Sequence, residues 1–246
     1  MKSHTILFPV LATILCFAHL QMAAQTCSPS ATFTYMKDGE TVVEEDAESY
    51  SGSAPMQAVF TANPEDVDDY VARYEWVIYE QGQEASPLIH RFEETLEYTF
   101  NTSGTFVVEL TATFVQGTDT IAYPDEGEEP TRFNITILES KLEMPNAFSP
   151  NGDDYNETYR AKEGHQSIVS FKATIFNRWG KRLYSWDDVN GEWDGKVNGK
   201  VVPDGVYFVN VVAKGADGHV FHIRKDVNVL TRKNENEEGG TGGGEN

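Results

Sequence analysis

Cysteine is nearly absent from this 246-residue chain, which holds two. One of them, Cys16, lies inside the leading apolar stretch, so Cys27 stands alone beyond that stretch and has no partner for an internal disulfide. Basic residues are scarce as well: 19 Lys and Arg face 39 Asp and Glu, for a net charge of −20. Such a balance excludes nucleic acid and anionic membrane surfaces as partners, because both are held by Lys and Arg. Long apolar runs are missing after the first 24 residues. No later stretch approaches the roughly 20 apolar residues that cross a bilayer, so the mature chain has no transmembrane segment. Also missing are a serine nucleophile elbow, an HExxH pair and a phosphate-cradling glycine loop, which removes the common hydrolase and nucleotide-binding classes.

The first 24 residues differ from the rest. Lys2 supplies a positive start, an apolar run covers 6–18, and Met22-Ala23-Ala24 places small residues ahead of Gln25. That order describes a secretory signal peptide cut between Ala24 and Gln25, with Pro9 breaking a run already too short to span a membrane. A lipid-modified terminal Cys27 is the competing reading. Against it, Thr26 precedes Cys27 where Gly, Ala or Ser is usual, and Ala24 stands where Leu is usual.

Charge divides the chain unevenly. Residues 25–140 hold 23 acidic and 4 basic side chains, whereas 141–230 hold 12 of each. One half is strongly acidic and the other balanced, a pattern that serves solubility and resistance to self-association before it serves any specific basic partner.

Between 28 and 140 the apolar residues alternate. In "TFVVELTATF", Phe106, Val108, Leu110, Ala112 and Phe114 share one face, the pattern of a half-buried strand. "MQAVFTA", "YEWVIYE" and "RFNITIL" have the same β-branched and aromatic enrichment, and the segments between them are turn-like. Several short strands over about 100 residues predict an antiparallel sandwich. "SGSAPMQAVFTANPE", "YEWVIYE" and "YTFNTSGTFVVELTATF" together resemble PKD domains, Ig-like modules of secreted and surface proteins, over 53–138. The resemblance implies that Trp76 fills the space between the sheets and that Gly104 allows the turn into the Phe106 strand. The family's usual "WDFGDG" is replaced here by "WVIYEQG".

In the second half "PNAFSPNGDDYNETY", "ATIFNRWGKRLYSW", "EWDGKVNGKVVPDGVYFVNVVAK" and "GHVFHIRKDVNVL" follow in order. Together they resemble the gliding motility-associated C-terminal domain, the type B sorting domain of the type IX secretion system of Bacteroidetes, over 145–230. The motif residues carried by that resemblance are Pro145, Asn146, Phe148, Pro150, Asn151, Gly152, Asp153, Asn177, Arg178, Trp179, Gly180, Trp193, Asp194, Gly195, Pro203, Gly205 and Tyr207. Periodicity independently predicts strands here. Phe221, Ile223, Val227 and Val229 face one way, Lys225 falls on the same side as the mark of a bulge, and Ala216-Asp217-Gly218 and Asn198-Gly199 read as hairpin turns.

Asn151, Asp153, Asp154 and Asn156 form the one oxygen-rich loop that suggests calcium, although Lys162 stands where an EF-hand needs its bidentate Glu. Consecutive turns built by Pro150, Gly152 and the Asx side chains are the preferred reading, with Phe148 and Tyr155 as flanking anchors. Trp193-Asp194-Gly195 and Asp204-Gly205 are read as turns on the same grounds. His219 and His222 are three apart on a strand and point to opposite faces, which disfavours a shared metal. No catalytic residue, resident metal or cofactor is therefore expected.

These observations predict an all-β chain: a signal peptide over 1–24, two consecutive Ig-like antiparallel β-sandwiches over 25–140 and 141–230, and a disordered tail over 231–246, where "KNENEEGGTGGGEN" has no apolar residue to pack. The expected function is a non-enzymatic protein exported through the periplasm to the cell surface or secreted. The second domain engages the type IX secretion machinery, and the first binds an unknown surface glycan or protein ligand. The alternatives are an accessory module of a secreted hydrolase and a structural subunit of a surface or gliding complex.

Overall fold

The computed structural model describes residues 26–231 except Asp38 and Asp68. The expected signal peptide with its Ala24/Gln25 cleavage site, and the expected tail beyond Thr231, lie outside the described residues. Everything regular in between is strand. None of the described residues forms a helix long and apolar enough to cross a membrane.

The first half contains β1 (Thr26–Cys27), β2 (Ser30–Lys37), β3 (Glu40–Glu44), β4 (Ser49–Gly52), β5 (Met56–Thr61), β6 (Pro64–Glu65), β7 (Val71–Glu80), β8 (Ile89–Arg91), β9 (Thr95–Phe100), β10 (Gly104–Gln116), β11 (Asp119–Tyr123) and β12 (Arg132–Ile137). One sheet runs β3-β2-β5-β9 and the other β4-β12-β10-β7-β8, with β11 pairing the end of β10. All of these pairs are antiparallel except β12 with β4. Alternation delivers the core. Phe106, Val108, Leu110, Ala112 and Phe114 all turn inward from β10, and from the facing sheet come Phe33, Met56, Ala58 and Phe60. Trp76 on β7 is fully buried against Phe60, with ring centroids 5.8 Å apart. It therefore lies between the two sheets, as expected. Gly104 opens β10 at φ +147°, a backbone conformation that side-chain-bearing residues rarely adopt.

The second half contains β13 (Ala147–Phe148), β14 (Tyr159–Arg160), β15 (Ile168–Phe176), β16 (Arg182–Trp186), β17 (Glu192–Trp193), β18 (Lys196–Val197), β19 (Lys200–Val201), β20 (Gly205–Gly215) and β21 (Val220–Val229). A five-stranded sheet, β13-β21-β20-β15-β16, forms one layer. The facing layer is built from the short pairs β14-β17 and β18-β19 and the segments that join them. Asn198 and Gly199 carry positive φ (52° and 76°) between β18 and β19, the backbone of a tight Asn-Gly hairpin.

The structure corrects one local expectation here. The β20-β21 ladder runs without a register shift from Gly205↔Val229 to Lys214↔Val220, so Lys225 marks no bulge. Its side chain turns inward and Nζ donates to the Met144 carbonyl at 2.9 Å. A half-buried ammonium needs an acceptor, and the arm leading into β13 supplies one.

Candidate functional site

Strand directions gather the sequence motifs at one end of the second sandwich. β15 and β20 are antiparallel with Phe176 opposite Phe208, so the turn after β15 lies beside the start of β20. β21 ends opposite Gly205, and β13 runs parallel to that end of β21. The loop after Phe148, the Asn177 turn, the start of β20 and the exit of the chain after Leu230 therefore share one pole. Thr231, assigned by sequence to the tail, is held there: its amide donates to Asp204 Oδ1 at 2.8 Å and its hydroxyl bonds the same oxygen.

Most of the motif residues build this pole. Trp193 is fully buried, and around it stand Phe148 at 5.3 Å and Tyr207 at 6.0 Å between ring centroids. Tyr159 packs on Phe148 at 5.7 Å, and its hydroxyl donates to the Pro145 carbonyl at 3.1 Å. Burial pushes the Tyr159 phenol far above its usual range, leaving the group a permanent donor. Tyr207 donates to the Pro203 carbonyl at 2.9 Å, and Trp193 Nε1 to the Lys196 carbonyl at 3.1 Å. Burial also raises the Tyr207 phenol, and the positive charge of Arg178 partly opposes that rise. Asn146 accepts the Asn228 amide through its carbonyl, which docks the arm onto β21.

The oxygen-rich loop is a series of turns. Asn151 Oδ1 accepts the Asp153 amide at 3.0 Å, Asp153 Oδ1 accepts the Tyr155 amide at 3.0 Å, and the Asn156 carbonyl accepts the Ser149 amide at 2.8 Å. Gly152, Asp154 and Asn156 all have positive φ. Among the described residues, no group of three or more His, Cys, Asp and Glu side chains is placed to hold a metal ion. Pro150 and Phe148 are buried, but Tyr155 is 73% exposed, which corrects its expected role as an anchor. Its neighbours on both sides are left-handed, and the backbone turns the ring outward.

Asp194 behaves in the same way as the loop residues. Burial is the strongest single influence and opposes its ionisation, yet the Lys196 amide and ammonium together outweigh it and hold the carboxyl below its usual range. The group is a turn clamp. Asn177 is another, its Oδ1 accepting the amides of Trp179 and Lys181, each at 3.0 Å.

Two motif residues have no such structural task. Trp179 is 76% exposed at the tip of the β15-β16 turn, and the Arg178 guanidinium lies over its ring at 4.3 Å.

Residues 142–222 match the CHU_C type IX secretion signal domain. The match supports the sorting-domain reading of the second half and covers its first three motifs, the Asn177 turn among them, with all of β20 and the start of β21 up to His222; the first half is outside it. A crystal structure of dimeric latent PorU from Porphyromonas gingivalis is similar at 12% identity with a TM-score of 0.25, over 82% of this chain and 20% of that one. The chain thus spans a small part of that protein, and a likeness at this level carries no functional information. No curated protein matches the chain.

Outside the sorting domain, Cys27 sits in the first sandwich's core at 6% exposure. Burial, then the carboxylates of Glu94 and Glu65, raise its thiol to about 11. A thiol so placed is a packing contact and a weak nucleophile. His219 packs edge-on against Phe221, with centroids 4.4 Å apart, while His222 lies opposite Val212 on the outer face of the sheet.

Proposed function

We propose that this chain is a non-enzymatic protein exported to the cell surface or beyond it, with its second sandwich as the address read by type IX secretion machinery and its first as the cargo. The observation that carries the reading is the match of 142–222 to the type IX secretion signal domain. The arrangement of motif residues adds to it: the buried members build one pole, and Arg178 and Trp179 are presented at its surface. Trp and Arg are the residues that most often anchor protein contacts, and here both stand exposed on one turn. The arginine-tryptophan tip is therefore the part of the pole that meets the machinery.

The first sandwich is a PKD-like module, and its ligand is a surface glycan. A groove of about 380 Å³ lies where β7, β9 and the turn before β10 meet, and is lined by Leu88, Tyr98 and Phe100 together with Glu80, Asn101 and Ser103. Apolar rings beside amide, hydroxyl and carboxylate groups suit a sugar, which has both a C–H face and hydroxyl edges. Burial sets Cys27 aside as a nucleophile and says no more than that about the first sandwich.

Cell fractionation of the full chain carrying Arg178→Ala and Trp179→Ala tests the export address. Because both side chains are at the surface, the variant folds. The expected result is at least about a tenfold loss of surface-exposed or released protein, with the folded chain held in the periplasm; unchanged delivery to the surface overturns the assignment of the tip.

A further inference from the structure

The second sandwich reaches back into the first. Ala216, in the β20-β21 turn, is only 6% exposed and belongs to the core cluster of the first sandwich, and Val169 packs against the same cluster. The Ala216 amide donates to the Ser167 carbonyl at 2.9 Å, and the Ala216 carbonyl accepts the Ser103 amide at 3.1 Å, from the turn that precedes β10. Ser167 is the pivot of this contact. It is 2% exposed, holds a positive φ of 49°, donates its hydroxyl to the Leu138 carbonyl at 2.6 Å and accepts the Ala54 amide at 3.2 Å.

The connector between the sandwiches is held at Leu138, Ser140 and Lys141. The Leu138 amide donates to the Gly52 carbonyl at 2.9 Å. Ser140 places its amide and its hydroxyl on the Asp217 carboxylate, at 3.1 and 2.8 Å. Those bonds, led by the His219 amide, hold the Asp217 carboxyl below its usual range. Lys141 exchanges both backbone hydrogen bonds with Gln166, at 3.0 and 2.9 Å, and Leu142 is buried. Gly215 packs directly on Ser140, where a Cβ would overlap the hydroxyl.

We infer that the second sandwich is a permanent cap on the first, so that the two halves form one stability unit and the connector is not a site of processing: the exported protein keeps its address. A protease accepts its substrate as an extended strand with free backbone groups, and here both backbone groups of Leu138 and Lys141 and the Ser140 amide are engaged. Cleavage requires undocking first, which strips Ala216 from an apolar site and leaves the Ser103 and Ala54 amides without their partners. When opening and closing are fast, the cleavage rate reports the population of the undocked form. Retention of the address rests on the export reading, but docking and protection of the connector do not.

Limited trypsin digestion of the purified full chain, followed by intact mass, tests it at the bond after Lys141. That bond resists in the native chain. Ala216→Glu places a carboxylate in the apolar site and speeds cleavage there on the order of tenfold or more; Asp217→Ala, at an exposed position that leaves both cores intact, speeds it by a smaller factor. Calorimetry follows the same samples, with one transition in the native chain and two in a folded Ala216→Glu chain. Native cleavage after Lys141 as fast as in Asp217→Ala overturns the inference, as does native unfolding in two separate transitions. Recovery of surface protein that ends before residue 142 overturns retention alone, whereas a failure of the export reading leaves the digestion result unchanged.

Discussion

Gly195 sits where the Trp193 turn meets the Phe148 arm, and the geometry leaves no room for a side chain. Its φ is +74°, and a Cβ would lie 2.8 Å from Pro150 Cγ and 3.2 Å from Phe148 Cε2. Gly199 shares the left-handed backbone (φ +76°) but has nothing within 4 Å. The pair separates backbone strain from steric overlap. Gly199→Ala should cost about 1 kcal/mol, and Gly195→Ala about 2–4 kcal/mol once overpacking is added. In thermal unfolding that difference means a midpoint roughly 2 °C or more lower for Gly195→Ala in a unit of this size; equal midpoints for the two variants contradict the packing of the pole. At this scale the sequence speaks clearly when a residue's task is local. Phe148 could be placed as an anchor from its motif, and the Asx turns from the run of Asn, Asp and Gly, whereas Trp193 was legible only as part of a turn and Tyr207 only as a motif member. Lys225 and Tyr155 could not be placed. The acceptor of Lys225 is a carbonyl 81 residues away, and the outward turn of Tyr155 depends on left-handed neighbours that no periodicity reveals.

At the scale of elements, the long strands were legible because burial on one face imposes alternation; β5, β12, β20 and β21 follow it throughout, and β7 and β10 follow it except where the paired Tyr79 and Val107 are buried on the opposite face. β2 also alternates, with Ala31 and Phe33 inward, but its threonine-rich text lacks the bulky apolar density that draws attention. The facing layer of the second sandwich was not legible, since β14, β17, β18 and β19 are two residues each and a period cannot be read from two. The groove between β7 and β9 belongs to this scale too, because its lining comes from strands and turns of both sheets. Leu88→Ala and Asn101→Ala remove one apolar and one polar wall without touching the buried core. On a glycan array the native chain should bind a defined subset of sugars, and each variant should lose that binding by at least about fivefold with its unfolding midpoint unchanged. Binding that survives both substitutions, or capture of envelope proteins in place of sugars, contradicts the assignment of the groove.

For the whole molecule, charge and connectivity say different things. The acidic excess of the first half lies largely on exposed positions, including Glu40 and Glu44 on the edge strand β3. Charged edges resist the addition of a foreign strand and so oppose self-association. That property could be read from composition. The docking of Ala216 could not, because a small apolar residue in a hairpin turn is ordinary and its burial depends on a surface more than 100 residues distant in sequence. It also bears on how the export address is best tested. Deleting the second half uncaps the first, so a gain of delivery is more informative than a loss. The second sandwich has its own buried cluster, from Leu142 to Val229, to support it when moved. The measurement is surface accessibility of a periplasmic reporter fused ahead of residues 141–246 and produced in the protein's native cells. The account predicts that the folded reporter becomes accessible to external protease or antibody; a stable, folded fusion that stays inside the outer membrane contradicts it.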